Sequence, residues 1–499
     1  MSDQPRTPEH LQRRGRPNIL WLCSDQQRAD TLGCYGNPLV RTPNLDALAA
    51  GGVMCGNAFA QNPLCTPSRG SFLTGRYPTT NRLRQNGQRC PPDLRILPRM
   101  LADQGYVNGL IGKLHLNPCN LRFTLGERWW EVDERCNYPA VEQRIDDGYH
   151  EFYWDHAPGG KHSGSDYLRW VHERGGRIAH PPLPGSRLVL QGMPDELHQT
   201  RWCADRAISF IERHRHPHEP WLLSVNIFDP HPHFDPEPSW LARFLPLLDR
   251  IPLPDAIAGE NEGKPPHHRQ VPKQLQGAEP GDLRLMKAAY WAMCEHIDHH
   301  VGRILAALDA TGQREDTIVI YTSDHGELLG DHGQLPKGPF LYDCSLRVPL
   351  ILRWPGRWDG GRRLDGLVEL VDLAPTLAPA CALPAEEMRR MQGIDLAPWL
   401  AGQRDGARIR DDVYAEYPNS NPHGRDRLFM DMVRTPTHKL VSVHGTGDGE
   451  LYDLVADPGE HRNRWSDPEM LAVKCDLLRR LSDRQARTCD PLPERIGIF

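Results

Sequence analysis

No stretch of this chain approaches the ~18 consecutive apolar residues that a membrane helix requires; the run 348–352 is short and already holds Pro349. A membrane-spanning protein is therefore not expected. An excess of one charge is also missing, since 59 Lys and Arg face 65 Asp and Glu for a formal net charge of −6. That excludes a broad basic face for nucleic acid, although a local positive pocket stays open. Residues 1–17 are polar, carry Arg13, Arg14 and Arg16, and have no apolar h-region of the kind a secretory signal needs. Thirteen cysteines, an odd number, are scattered from Cys23 to Cys489 without a repeated CxxC pair. This argues against a disulfide framework and for a reducing compartment. Together these absences lead to the expectation of a cytoplasmic protein with neither a nucleic-acid nor a membrane partner. Repeats and low-complexity tracts are missing too.

What the chain does have is apolar content, 39% over 499 residues, sufficient for a large core. Segment 1–16 reads as a loose arm. Asn18–Ser24 (NILWLCS) is a short apolar run ending at Asp25, the pattern of a buried parallel strand whose C-terminal end faces a site. Further apolar runs at 107–111, 221–228, 317–322 and 350–352 alternate with helical patterns at 42–52, 94–104 and 283–308. Such alternation predicts an α/β fold with a mostly parallel central sheet flanked by helices. The main domain is expected at 17–395, with insertions rich in Pro, Gly, His and Trp over 127–282 that would shape a substrate pocket. A smaller α+β C-terminal domain is expected at 396–499, with paired strands at 439–443 and 451–454 and a helix over 469–487.

Cys65-Thr66-Pro67-Ser68-Arg69, followed by Leu73-Thr74-Gly75, is the segment richest in chemistry. Pro67 is placed to open a helix whose first N–H groups would point back at Cys65, attract an anion and lower the thiol's pKa. Taken alone, a buried free cysteine before a helix would account for it. As a whole, the block resembles the type I sulfatase signature C-x-P-S-R-x-x-x-L-T-G. Further blocks resemble the same family, in order. The first is 18–26, ending in Asp25 and Gln26. The next runs from Gly105-Tyr106 to Gly112-Lys113-Leu114-His115, with Asn108 where Thr is usual. Ser323-Asp324-His325-Gly326-Glu327 follows, with Lys337 and Arg347-Val348-Pro349. The last is Leu451-Tyr452-Asp453-Leu454 with Asp457-Pro458 and Glu460.

The resemblance implies an alkaline phosphatase-like fold and a Cys65 converted to formylglycine by a maturing enzyme that reads C-x-P-x-R. An aldehyde hydrate carries two hydroxyls on one carbon. One displaces the alcohol from sulfur; the other then loses a proton and ejects sulfate, which a serine could not do. The resemblance also implies a divalent cation on Asp25, Gln26, Cys65, Asp324 and His325, acidifying the hydrate and neutralising the sulfate oxygens. The oxygen ligands suit calcium. Many relatives carry Asp and Asn at the positions of Gln26 and His325, and the nitrogen of His325 opens manganese or zinc as alternatives. By the same resemblance Arg69 and Lys113 hold the hydrate, His115 takes the proton that drives sulfate release, and His231 and Lys337 contact sulfate and the leaving alcohol. His233 stands where Pro is usual in Asp229-Pro230-His231-Pro232-His233-Phe234. Asn86 matches a substrate-contacting Asn of choline sulfatases and phosphonate monoester hydrolases.

The expected reaction is therefore hydrolysis of a small-molecule or carbohydrate sulfate ester to an alcohol or phenol and inorganic sulfate, with a homo-oligomer left open. The alternative is a phosphonate monoester or phosphodiester hydrolase on the same site. Gln26 and His325 lean toward phosphorus, Lys113 and His115 toward sulfur. A catalytically silent protein that binds sulfated ligands would have kept all these groups without using them. Other features read as structural. His296, His299 and His300 share a helix with the apolar stripe Met293, Ile297, Val301, Ile304 and Leu305, and no nearby Cys completes a zinc set. Stretch 214–218 reads as a solvated loop, and Gly445, Gly447 and Gly449 as a hairpin turn. Trp129, Trp130, Trp154 and Trp170 read as core or lid packing.

Overall fold

The computed structural model describes residues 15–119, 142, 144, 146–158, 164–216, 219–358, 360–420 and 427–488. Most of the 1–16 arm, with Trp129 and Trp130, lies outside the described residues. The main domain runs β1 (Asn18–Ser24), α1 (Pro43–Ala50), β2 (Val53–Phe59), α2 (Cys65–Thr74), β3 (Val107–Gly112), β4 (Glu151–Trp154) and α3 (Gln199–Arg213). It continues through β5 (Trp221–Ile227), α4 (Pro280–Ala310), β6 (Thr317–Ser323), β7 (Arg347–Val348), β8 (Leu350–Arg353) and β9 (Arg362–Glu369). The sheet order is β4-β3-β5-β1-β6-β8-β2-β7, with β9 beside β2. Neighbours from β4 to β6 are parallel, whereas β8 runs antiparallel to both β6 and β2.

The central strands read as unbroken apolar runs because both sheet faces are covered. β1 sends Ile19, Trp21 and Cys23 to one hydrophobic cluster and Leu20 and Leu22 to the opposite one. Each fully buried large side chain contributes about 1.5–3 kcal/mol. The second cluster includes Trp202 and Phe210 of α3 and Ile297, Val301 and Ile304 of α4. Pro280 starts α4, and a capping box between Glu279 and Asp282 satisfies its first N–H groups. Within the span 127–282, β4, β5 and α3 thus belong to the sheet and its covering layer. Coil segments around 178–190 and 229–235 face the site. Trp154 and Trp170 are buried. No helix among the described residues is long and apolar enough to cross a membrane.

The C-terminal part holds β10 (Val413–Pro418), β11 (Phe429–Arg434), β12 (His438–Val443), β13 (Gly449–Asp453) and α5 (Leu471–Arg487). The strand pair expected at 439–454 is half of a four-stranded antiparallel sheet in the order β10-β11-β12-β13. Leu477 and Leu481 of α5 pack with Val433, Leu440 and Leu451, and Tyr77 and Val371 of the main domain join that cluster.

Candidate active site

Parallel strands deliver the functional residues to one edge. Ser24 and Ser323 are paired at the ends of β1 and β6, so Asp25-Gln26 and Asp324-His325 emerge side by side. Lys113 follows β3 and the segment Phe228–His231 follows β5, which lie beside them. Gln26 has a left-handed backbone (φ 64°), and its N–H donates to Asp324 Oδ1 at 2.9 Å. Cys65 opens α2, all of whose residues are buried. Gly75 ends that helix at φ 68° and donates to the Ser71 carbonyl, which explains the glycine of the L-T-G ending.

Positive charge converges on Cys65. Its Sγ lies 3.0 Å from Lys337 Nζ, 3.6 Å from Lys113 Nζ and 3.3 Å from His325 Nε2. Burial raises the thiol's pKa, but Lys113, Lys337 and His325 outweigh it and hold the group well below the ordinary value. Arg69 bridges both carboxylates, with Nε 2.9 Å from Asp324 Oδ2 and Nη2 3.0 Å from Asp25 Oδ2. Lys113 Nζ sits 2.7 Å from Asp25 Oδ2. Burial and Cys65 push the Asp25 pKa up, yet Lys113, His231 and Arg69 keep it below the usual carboxylate range.

The donor set fits a divalent cation. Ligand atoms of Asp25, Cys65, Asp324 and His325 all lie within 4.8 Å of one another. His325 Nδ1 donates to the Gly326 carbonyl at 2.9 Å, which turns Nε2 toward Cys65, where its deprotonated form would offer a lone pair to an ion. Gln26 Nε2 donates to Glu327, and Gln26 Oε1 is buried without a hydrogen-bond partner among the described residues. Two carboxylates, an unpaired amide oxygen and an inward imidazole nitrogen are ligands for a hard or borderline ion.

The remaining expected residues gather at the same place. His231 Nδ1 donates to the Pro232 carbonyl at 2.6 Å, and its Nε2 lies 3.0 Å from Lys337 Nζ. His233 is exposed and lines the same cavity, whereas His231 is the imidazole of that block in contact with Lys337. Asn86 Oδ1 accepts from the Thr66 N–H at 3.0 Å beside the start of α2. Burial and Lys113 hold the His115 pKa down to about 4, which makes it a neutral base at neutral pH. Lys113, His115, His231 and Lys337 share with Asn86 a cavity of about 630 Å³. Its walls include Ile178, His180, Leu190 and Asp235, and His180 Nδ1 pairs with Asp235 Oδ2 at 2.6 Å.

Two supporting carboxylates had no role in the sequence reading. Glu142 accepts the N–H groups of His115, Leu116 and Asn117 at 2.8, 2.6 and 2.8 Å and so fixes the left-handed turn at His115 (φ 59°). It lies in a segment without periodicity, where nothing local marks it. Glu327 closes the Ser-Asp-His-Gly-Glu block and orients Gln26; its place in the block is the one signal available.

The mostly parallel sheet, with residues that could hold a cation gathered at its strand ends, defines an α/β fold of the alkaline phosphatase-like class. The chain belongs to the sulfatase family and is an enzyme of that family. The family's Sulfatase model matches residues 17–381, and that of the N-sulphoglucosamine sulphohydrolase C-terminal region matches 330–487. An arylsulfatase of Clostridium perfringens is 29% identical over 93% of each chain. The multifunctional alkaline phosphatase superfamily protein PehA of Trinickia caryophylli is 30% identical over 92% of this chain and 93% of its own. The crystal structure of a phosphonate monoester hydrolase of Agrobacterium radiobacter superposes with a TM-score of 0.81 at 26% identity, covering 96% of this chain and 98% of that one.

Proposed function

We propose that the protein hydrolyses organic sulfate monoesters to an alcohol or phenol and inorganic sulfate, with Cys65 matured to formylglycine beside a divalent cation. The observation that carries this reading is the convergence of Lys113, Lys337 and the neutral His115 on Cys65. Formylglycine supplies a nucleophile able to release its product, and the cation supplies Lewis acidity. Asp25, Gln26, Asp324 and His325 would hold the ion. Calcium suits the oxygens, and the His325 nitrogen admits manganese or zinc; elemental analysis of the purified protein decides between them. Arg69, tied to both carboxylates, fixes their orientation toward position 65. Lys113 and Lys337 neutralise the sulfate oxygens. His115 takes the proton that accompanies sulfate release, and the Lys337–His231 pair places a donor at the leaving oxygen. The cavity beyond this floor accommodates an aryl or monosaccharide alcohol.

A second reading, hydrolysis of phosphonate monoesters, is favoured by Gln26 and His325 at the metal position and by the likeness to the Agrobacterium radiobacter enzyme. One comparison separates the two: kcat/KM for a nitrophenyl sulfate and a nitrophenyl phosphonate monoester on the same preparation, with Cys65→Ala as blank. A clear preference for sulfate supports the proposal. A preference for the phosphonate overturns it in favour of the second reading. Mass analysis of the peptide bearing Cys65 tests the maturation separately, and an unmodified thiol in active protein would remove formylglycine from the mechanism.

A further inference from the structure

On α4, His296 and His300 lie one turn apart on the buried side, while His299 faces outward. Asp195, which opens a 3-10 turn at Asp195–Leu197 just before α3, reaches both: its Oδ1 is 2.8 Å from His296 Nε2 and 2.9 Å from His300 Nε2. The two imidazole nitrogens are themselves 3.0 Å apart. We propose that Asp195, His296 and His300 form a second metal site, separate from the catalytic centre, that takes zinc or a similar borderline divalent ion.

Three donor atoms in a triangle with edges near 3 Å can all lie about 2.0–2.2 Å from one ion, the distance zinc takes to nitrogen and carboxylate oxygen. Without an ion, two N–H groups crowd a single carboxylate oxygen with their nitrogens 3.0 Å apart, which sets like dipoles against each other. A cation accepts both lone pairs and removes that conflict. Both rings are buried, and ligation requires each to present an unprotonated nitrogen to the ion. His296 Nδ1 has no hydrogen-bond partner among the described residues; with the proton there, at the cost of one buried unpaired N–H, Nε2 is free for the ion. The Asp195 side chain is 36% exposed, so solvent can fill the fourth position. The missing ligand that a search for cysteine could not find is thus an aspartate from another part of the chain.

Two arginines oppose the ion: Arg201 Nη1 pairs with Asp195 Oδ2 at 2.8 Å, and Arg303 provides the sharper test. Arg303 Nη1 donates to His300 Nδ1 at 3.0 Å, which keeps the His300 proton on Nε2. Binding moves that proton to Nδ1, with no net release, and Arg303 must let go; Asp205 retains it through Nη2 at 2.7 Å. An ion here would tie the coil around 178–197, which carries Ile178, His180 and Leu190 of the cavity wall, to the rigid α4.

The experiment is zinc titration of the chelator-stripped full-length protein against a chromophoric competitor. The wild type should bind one zinc per chain more than His300→Gln, and zinc should raise the Tm of the wild type by more than that of His300→Gln, which keeps only the catalytic site. Arg303→Met should bind that zinc at least about tenfold more tightly, because the opposing donor is gone. Equal stoichiometry in wild type and His300→Gln overturns the site, and unchanged or weaker binding by Arg303→Met overturns the proton exchange on which it depends. Should His300→Gln fail to fold, Asp195→Asn carries the same comparison from a partly exposed position.

Discussion

Replacing Glu327 by alanine isolates how Gln26 is aimed. The Glu327 side chain is fully buried and receives the Gln26 amide and the Leu329 N–H, the latter at 2.9 Å. Removing it takes the acceptor from two buried donors, the Gln26 amide and the Leu329 N–H, at about 1–3 kcal/mol each. A typical domain is stabilised by ~5–15 kcal/mol, so the variant should fold, and Glu327→Gln keeps an acceptor should alanine not be tolerated. Loss of a partner that orients a metal ligand costs ~10–100-fold in metal affinity, equivalent to about 1.4–2.7 kcal/mol. The assay is activity of the chelated, formylglycine-bearing protein against free metal concentration, for wild type, Glu327→Ala and Glu327→Gln. The alanine variant should shift the midpoint by that factor and regain kcat at saturating metal, with glutamine in between. An unchanged midpoint would refute the idea that Glu327 acts through Gln26 on the ion.

Further outcomes follow from the same geometry. Lys337→Ala should lower kcat/KM by ~10²–10³; a loss under about threefold would place Lys337 outside the reacting atoms. Burial and Lys113 hold His115 to about 4, and the base must be unprotonated, so activity should fall only as pH drops through about 4; an acid limb near 6.5, the free imidazole value, would contradict this. Cys65→Ser should release alcohol in a burst no larger than the enzyme concentration and then stop; sustained turnover would show that the hydrate's second hydroxyl is not needed. Gly112→Ala places a Cβ 2.0 Å from the Asn226 carbonyl at φ +93°, and should cost at least about 3 kcal/mol. An unaltered urea midpoint would rule out that clash.

The strands were legible where burial on both faces makes them continuous, as in NILWLCS and TIVIYTS. Motifs at their C-terminal ends were legible because a parallel sheet gathers such ends. Less could be read where partners are distant in sequence. Glu142 serves His115 from 27 residues away, and Asp195 meets His296 across 101, with no local pattern to announce either. β10 and β11 escaped notice because the sequence signal recognised there was only the hairpin that follows them. Choosing between His231 and His233 required the turn itself, which brings the first to 3.0 Å from Lys337 and leaves the second exposed.

Gln26 and Asp324 touch across 298 residues of chain. Synthesis proceeds at about 5–20 residues per second, so the segment around Cys65 exists for roughly 10–50 s before β6 arrives to bury it. In the finished fold Cys65 is 1% exposed and α2 is buried along its whole length, leaving no backbone for another enzyme to grip. Under the proposed maturation, the order of translation therefore acts as a timer. The modification competes with the ribosome's own progress, and each chain that completes its sheet first is locked as a thiol.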